Sequence, residues 1–175
     1  MMARIAILGT VVIALLAGGA LYYLQVYAYY DDVSMNVEKV QLTSVVSSDP
    51  EGILFENVKA IDSNSSPLRY RSCFNTGMSL ALLTETYEIY DDAEPRVAPR
   101  WFDCFDAKQI GADLEGGVAV AFMGNHDIQY GIDRVIAVYP DGRAFAWHQI
   151  NSCGDVVFDG NPTPPECPPA PEGLN

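Results

Sequence analysis

The chain has 175 residues, 23 of them acidic and ten basic, for a formal net charge of −13 at neutral pH. All 23 acidic residues follow residue 30, against nine of the basic ones, which leaves that part with a net charge of −14. A surface so negative repels phosphate backbones and anionic lipid headgroups, which excludes nucleic-acid binding; a solvated surface accounts for the acidity first, with a cationic partner, a basic protein surface or a divalent ion as the sharper readings.

From the amino terminus, Arg4 precedes an uncharged, mostly apolar run from Ile5 to Leu24. Roughly 20 helical residues cross the ~30 Å hydrocarbon core of a bilayer, so the run predicts a single transmembrane helix. Tyr22, Tyr23, Tyr27, Tyr29 and Tyr30 follow it and suit the interface, where a ring sits among headgroups with its hydroxyl wet. With Arg4 before the span and no basic residue after it until Lys39, the amino terminus is expected in the cytoplasm. A cleaved signal peptide is the rival reading, with Ile5 to Leu16 as its core and Gly18-Gly19-Ala20 for the peptidase. The apolar and aromatic character continues through Tyr30, which favours the anchor. Both readings export the remainder. Ala14 and Gly18 also have the spacing that allows close helix approach, although small residues are common in spans.

About 145 residues follow, enough for one domain. The expected organisation is a cytoplasmic start and span over 1–30, a linker over 31–36, an α+β domain over 37–160 and a proline-rich tail over 161–175. Strands are predicted at Val40–Val46, Ile53–Ile61 and Leu68–Phe74, separated by the loop Asp62-Ser63-Asn64-Ser65-Ser66-Pro67. Thr76 is placed to cap a short helix ending near Thr86, with Met78, Leu82 and Leu83 on one side. Tyr87–Arg100, with Asp91, Asp92, Pro95 and Pro99, reads as loop. Asp106 then caps a helix carrying Ile110 and Leu114 on one face, with Gly116 as the stop. Gly117–Met123 reads as a strand. Pro140-Asp141-Gly142 is a turn between the β-rich runs Val135–Tyr139 and Arg143–Gln149. Val156–Phe158 is expected to add one further strand. The fold class is therefore α+β: an antiparallel sheet domain with two short helices behind an amino-terminal transmembrane helix. Six prolines between Pro162 and Pro171 make the tail extended.

Cys73, Cys104, Cys153 and Cys167 all lie beyond the span, and an even count in an oxidising compartment argues for two disulfides. Of three pairings, Cys73–Cys104 and Cys153–Cys167 join segments close in sequence, and the second pins the tail. Zinc is disfavoured because there is no C-x-x-C and neither histidine is spaced with a cysteine as in a finger.

The chemistry-bearing residues are few. Arg69 and Arg71 are read as sharing a strand face and pairing with acidic neighbours; with His148 they are the candidates for a ligand or partner contact. His126, in Gly124-Asn125-His126-Asp127, is expected in an exposed turn, and His148 beside a neighbouring carboxylate. Asp103 and Asp106 bracket Cys104 at a spacing where carboxylates converge, but the cap accounts for one of them. Asp91, Asp92 and Glu94 lack the spacing of a calcium loop. Ser72 has no evident base, and no nucleophile elbow, phosphate-binding glycine loop or metalloprotease helix occurs. The expectation is no enzyme, no cofactor and no metal.

Tyr22-Tyr23-Leu24-Gln25-Val26-Tyr27, Arg69-Tyr70-Arg71 ahead of Cys73-Phe74, Leu83-Thr84-Glu85-Thr86-Tyr87, Trp101-Phe102-Asp103-Cys104-Phe105-Asp106, Tyr130-Gly131-Ile132-Asp133-Arg134 and Trp147-His148-Gln149-Ile150-Asn151 form a recognisable set. Over nearly its whole length the chain resembles uncharacterised small membrane-anchored proteins of alphaproteobacteria. The resemblance implies a periplasmic domain on the bacterial inner membrane and carries no functional residues. Some members bear a histidine-kinase label, which finds no nucleotide-binding glycine motif or phospho-acceptor helical hairpin here. The expected role is an interaction or accessory factor of an envelope complex, with a ligand-binding or ion-binding sensor as the alternative and a periplasmic hydrolase third.

Overall fold

The structure is a computed structural model and describes residues 2–34 and 40–173. Lys39 and the end of the expected linker, residues 35 and 36, lie outside the described residues. The chain divides into two units, one ending at Asp31 and one beginning at Asp32.

The first unit is helix α1 (Met2–Val26), longer at both ends than the apolar run itself. Its 25 residues reach about 37 Å at ~1.5 Å per residue. Apolar side chains are exposed all round, as suits a helix solvated by lipid. Thr10 donates from Oγ1 to the Ala6 carbonyl at 3.0 Å, so even this hydroxyl is satisfied within the helix. Beyond, Tyr27 stacks on Tyr23 at 5.9 Å between ring centroids. The helix is compatible with a single-pass anchor or a signal sequence.

Strand β1 (Asp31–Asp32) falls at the division, and the second unit is built on β2 (Val40–Thr43), β3 (Pro50–Ile53), β4 (Glu56–Asp62), β5 (Arg71–Asn75), β6 (Val120–Gln129), β7 (Ile132–Val138) and β8 (Arg143–Ile150), with helices α2 (Leu80–Thr86), α3 (Ala107–Glu115) and α4 (Ser152–Phe158). A six-stranded sheet has the order β1-β4-β5-β8-β7-β6, and its paired central strands are antiparallel. β2 and β3 form a separate antiparallel pair. The segment 87–90 links the two sheets: Glu88 N donates to Thr43 O, while Tyr90 N donates to Ala121 O on β6, both at 2.9 Å.

Register sorts the side chains into two faces, since opposed residues in an antiparallel ladder point the same way. Phe74, Ala144 and Val138 make one row, and Ser72, Ala146, Ile136 and Phe122 the next; this face packs on β2, β3 and α2. The opposite face carries Cys73, Phe145 and Ala137, then Arg71, Trp147 and Val135. The segment 101–115 covers it. Phe105 meets Phe145 edge-on at 6.0 Å and Trp147 at 6.3 Å, and Tyr139 donates to Asp113 Oδ2 on α3 at 2.7 Å. The domain is thus α+β, with the sheet between two covering layers.

The Pro140-Asp141-Gly142 turn and the Asp106 cap form as the local chemistry dictates; Asp106 accepts from Lys108 N and Gln109 N at 3.1 Å. The left-handed residue ending α3 is Gly117 rather than Gly116. Four expectations need correcting. Val156–Phe158 is helix, because Asn151 caps it by accepting from Gly154 N at 2.9 Å, which outweighs the strand preference of two valines. The described residues of the domain accordingly form three α-helices and not two. Ile53–Ile61 is split between β3 and β4, in different sheets, with Ile53 pairing Val40. Ser79, not Thr76, caps α2; Thr76 is buried where its N–H donates to Gly142 O, and Leu82 faces outward. Finally, Leu68 and Arg69 belong to a 3-10 turn (Pro67–Arg69) capped by Ser66, since Pro67 has no N–H for the sheet.

Candidate functional site

A cleft of about 590 Å³ opens where residues 89–96, the end of β6, the start of β7, the end of β8 and the start of α4 meet. Six carboxylates line it, from Asp91, Asp92, Glu94, Asp127, Asp133 and Asp155, with Arg96 and His126 as the basic side chains.

Its walls are fixed by hydrogen bonds. Asp133 is 3% exposed and accepts from Asp127 N at 2.9 Å, Asn151 Nδ2 at 3.0 Å and Tyr90 OH at 3.4 Å. Asp127, at a positive φ of 42°, accepts from Gly131 N at 2.8 Å and shares Asn151 Nδ2 at 3.3 Å. Gln149 holds the opposite wall: Nε2 donates to Asp92 O at 2.6 Å, and Oε1 accepts from Glu94 N at 2.7 Å and Trp147 Nε1 at 3.2 Å. Burial, then the neighbouring Asp133 carboxylate, pushes the Tyr90 hydroxyl well above its ordinary pKa, so it stays a proton donor. At the rim, His126 Nε2 lies 2.9 Å from Glu88 Oε2. His126 is exposed as expected, but it is part of β6 and not a turn.

The cleft collects none of the three residues that the sequence singled out. Arg71 is buried in the sheet and donates to four carbonyls: Nε to Arg96 at 2.7 Å, Nη1 to Leu68 at 2.8 Å and Tyr70 at 2.6 Å, and Nη2 to Val97 at 3.2 Å. His148 points to the other face, one residue on from Trp147, which pairs with Arg71. Its Nδ1 contacts Pro67 O at 2.6 Å, Arg134 Nε donates to its Nε2 at 3.0 Å, and it stacks on Tyr70 at 4.8 Å. The expected carboxylate neighbour is replaced by a carbonyl and a guanidinium, and burial followed by Arg134 pushes its pKa down to about 3. Arg69 sits in the 3-10 turn, so the two arginines do not share a strand face.

Both expected disulfides are formed, Cys73–Cys104 and Cys153–Cys167. The second ties the tail to α4, and Tyr130 OH adds a bond to Pro168 O at 3.1 Å. Asp106 is occupied as the α3 cap, while Asp103 is exposed on the covering loop. Among the described residues, no group of three or more His, Cys, Asp or Glu side chains is gathered to hold a metal.

Sequence reasoning missed Tyr90, Asp127, Asp133, Gln149 and Asn151. One signal was available. Asp133 and Gln149 extend the faces of β7 and β8 that Ala137, Val135, Phe145 and Trp147 begin, so two polar residues opposed in register follow apolar pairs on those two strands.

A family model described as a family of unknown function, DUF6446, matches residues 40–168. The chain belongs to this family. The DUF6446 match takes in the sheet from β2 onward, the whole cleft and all four cysteines, and leaves α1 outside. No curated protein and no solved structure matches the chain.

Proposed function

We propose that this DUF6446 protein is a single-pass inner-membrane protein whose domain faces an oxidising periplasm and docks another envelope protein, as an accessory factor and not as an enzyme. The observation that carries this is the prebuilt acidic cleft, in which the polar side chains that shape the walls are already committed to one another. Two of its carboxylates, Asp127 and Asp133, hold loops in place. Its hydroxyls are not activated either: Tyr90 donates to Asp133 with a raised pKa, and Ser152 has no hydrogen-bonded base. A preformed wall binds without the entropy cost of ordering loops, which suits recognition. The apolar helix, Arg4 in its first turn and two disulfides beyond it support the placement.

The test is photo-crosslinking in native membranes, with a benzoyl-phenylalanine at Ile89 or Glu94 on the cleft rim. One discrete adduct with another envelope protein is expected. Recovery of the uncrosslinked chain alone from every rim position overturns the reading. A sensor for a small cationic ligand is the second reading, because about 590 Å³ lies within the range of small-molecule sites. It would use this cleft and not Arg69, Arg71 and His148. The hydrolase reading has no nucleophile–base pair in the cleft to support it.

A further inference from the structure

Beside the acidic cleft lies a second depression of about 270 Å³, between the end of α3 and the start of β6. The two share Ile89, Tyr90 and Asp91, so they adjoin along one stretch of chain. Their chemistry differs. The second is floored by the buried Ala119 and Ala121 and flanked by Leu114 and by Ile89, a residue 53% exposed. Small side chains on the floor leave room that a larger apolar group fills. The backbone beneath is fixed, since Ile89 bridges to Phe122 and Tyr90 N donates to Ala121 O at 2.9 Å. Acid surrounds both depressions, with Asp91 and Glu115 on the apolar one and Asp92, Glu94 and Asp155 on its neighbour, against Arg96 as the lining cation with a permanent charge.

Resting on the docking role argued above, we propose that the occupant is an extended segment of a partner protein carrying a basic side chain next to an apolar one. The apolar side chain seats between Ile89 and Leu114, and the Lys or Arg beside it extends into the acidic cleft. Charge complementarity selects the sign: a region this negative, in a domain of net charge −14, rejects an acidic or phosphorylated segment. The apolar depression selects a peptide over a free cation, because a metal ion gains nothing from Leu114, Ala119 and Ala121 and the thin methylene stem of a polyamine fills less of it than a branched or aromatic side chain. The described side chains also offer no cluster suited to a metal.

The experiment pans the full chain, held in nanodiscs of zwitterionic phosphatidylcholine, against a random octapeptide phage library. An enriched pool with Lys or Arg adjacent to Leu, Ile, Val or Phe is expected. A synthetic peptide from that pool should bind at least tenfold more weakly to Asp91→Lys and to Ile89→Ser, with melting temperatures of both variants unchanged. Raising sodium chloride from about 50 to about 500 mM should also weaken it about tenfold, through screening. An acidic consensus, no enrichment, or a peptide indifferent to both variants overturns the proposal. Spermidine binding as tightly as the peptide and ignoring Ile89→Ser also overturns it, in favour of a free polycation. Crosslinking that captures a partner while the library fails leaves the docking role intact and removes only this occupant; failure of both removes both.

Discussion

The guanidinium of Arg71 donates from Nε to the carbonyl of Arg96 at 2.7 Å, and from Nη2 to Val97 at 3.2 Å, clamping the cleft wall from beneath. The same group reaches Leu68 and Tyr70 at 2.8 and 2.6 Å, so one buried cation fixes the 67–70 turn and the 96–97 loop together. Arg71→Ala leaves these carbonyls short of a donor and should cost about 3 kcal/mol in chemical denaturation. Arg71→Lys keeps the charge but lacks the planar fork, and should recover less than half of that loss. Hydrogen exchange reads the local effect: amides of residues 93–100 should speed up in both variants while those of β7 and β8 stay protected.

His148 makes stability depend on pH. It sits between the Pro67 carbonyl and the Arg134 guanidinium, which suits the neutral ring with its proton on Nδ1. In the folded protein its pKa is pushed down to about 3, whereas an unfolded chain takes up the proton near ~6.5. The unfolded state therefore binds the extra proton between those values. The stabilisation by neutral His148 is fully present above about pH 6.5 and is lost as the pH falls toward about 3, at up to about 1.4 kcal/mol per pH unit. Urea titrations between about pH 4.5 and 6.5 should show this slope in a His126→Gln background and a flatter one once His148→Gln is added. Equal slopes would mean that His148 does not titrate differently on unfolding.

What the sequence made legible was local. The apolar helix, the Pro140-Asp141-Gly142 hairpin, the Asp106 cap and both disulfides follow from residues close in the chain, and each forms as read. The misreadings arise where tertiary partners decide. Val156 and Val157 favour a strand, but the Asn151 cap and the packing of α4 on the β6–β7 turn make a helix. Arg71 stood out as a cation in an acidic domain, yet its charge is turned inward onto carbonyls. The cleft draws on residues 89–96, 123–133 and 149–155, and no local pattern brings such distant segments together.

The two disulfides should differ in what they protect. On the chain-entropy model, the sequence separation of 14 in Cys153–Cys167 corresponds to about 3 kcal/mol and the 31 of Cys73–Cys104 to about 3.7 kcal/mol. Cys153→Ser with Cys167→Ser should free the tail from Tyr130, so that limited proteolysis trims residues beyond 160 while the sheet melts cooperatively. Cys73→Ser with Cys104→Ser should instead loosen the 101–106 cover over Phe145 and Trp147, lowering near-ultraviolet dichroism along with the melting temperature.

A close glycine-to-glycine approach joins α4 to the turn between β6 and β7. A Cβ on Gly154 would run into the Gly131 carbonyl, and Gly131 itself holds a positive φ of 73°. That carbonyl already accepts from Asn151 N at 3.0 Å, and Asn151 is the residue that bonds Asp127 and Asp133. Gly154→Ala must therefore push α4 away and drag the Asn151 amide out of the cleft wall. The loss should be about 2–3 kcal/mol, although alanine is the better helix former by about 1 kcal/mol. Tyr90 gives the local readout, because its hydroxyl pKa is raised partly by Asp133, which would lose Asn151 as one of its donors. Ultraviolet titration of Gly154→Ala against Ser152→Ala, a change at an exposed neighbour, separates displacement of α4 from a general softening. A Gly154→Ala protein as stable as the parent, with an unaltered tyrosine titration, would show that the two glycines do not set the position of α4.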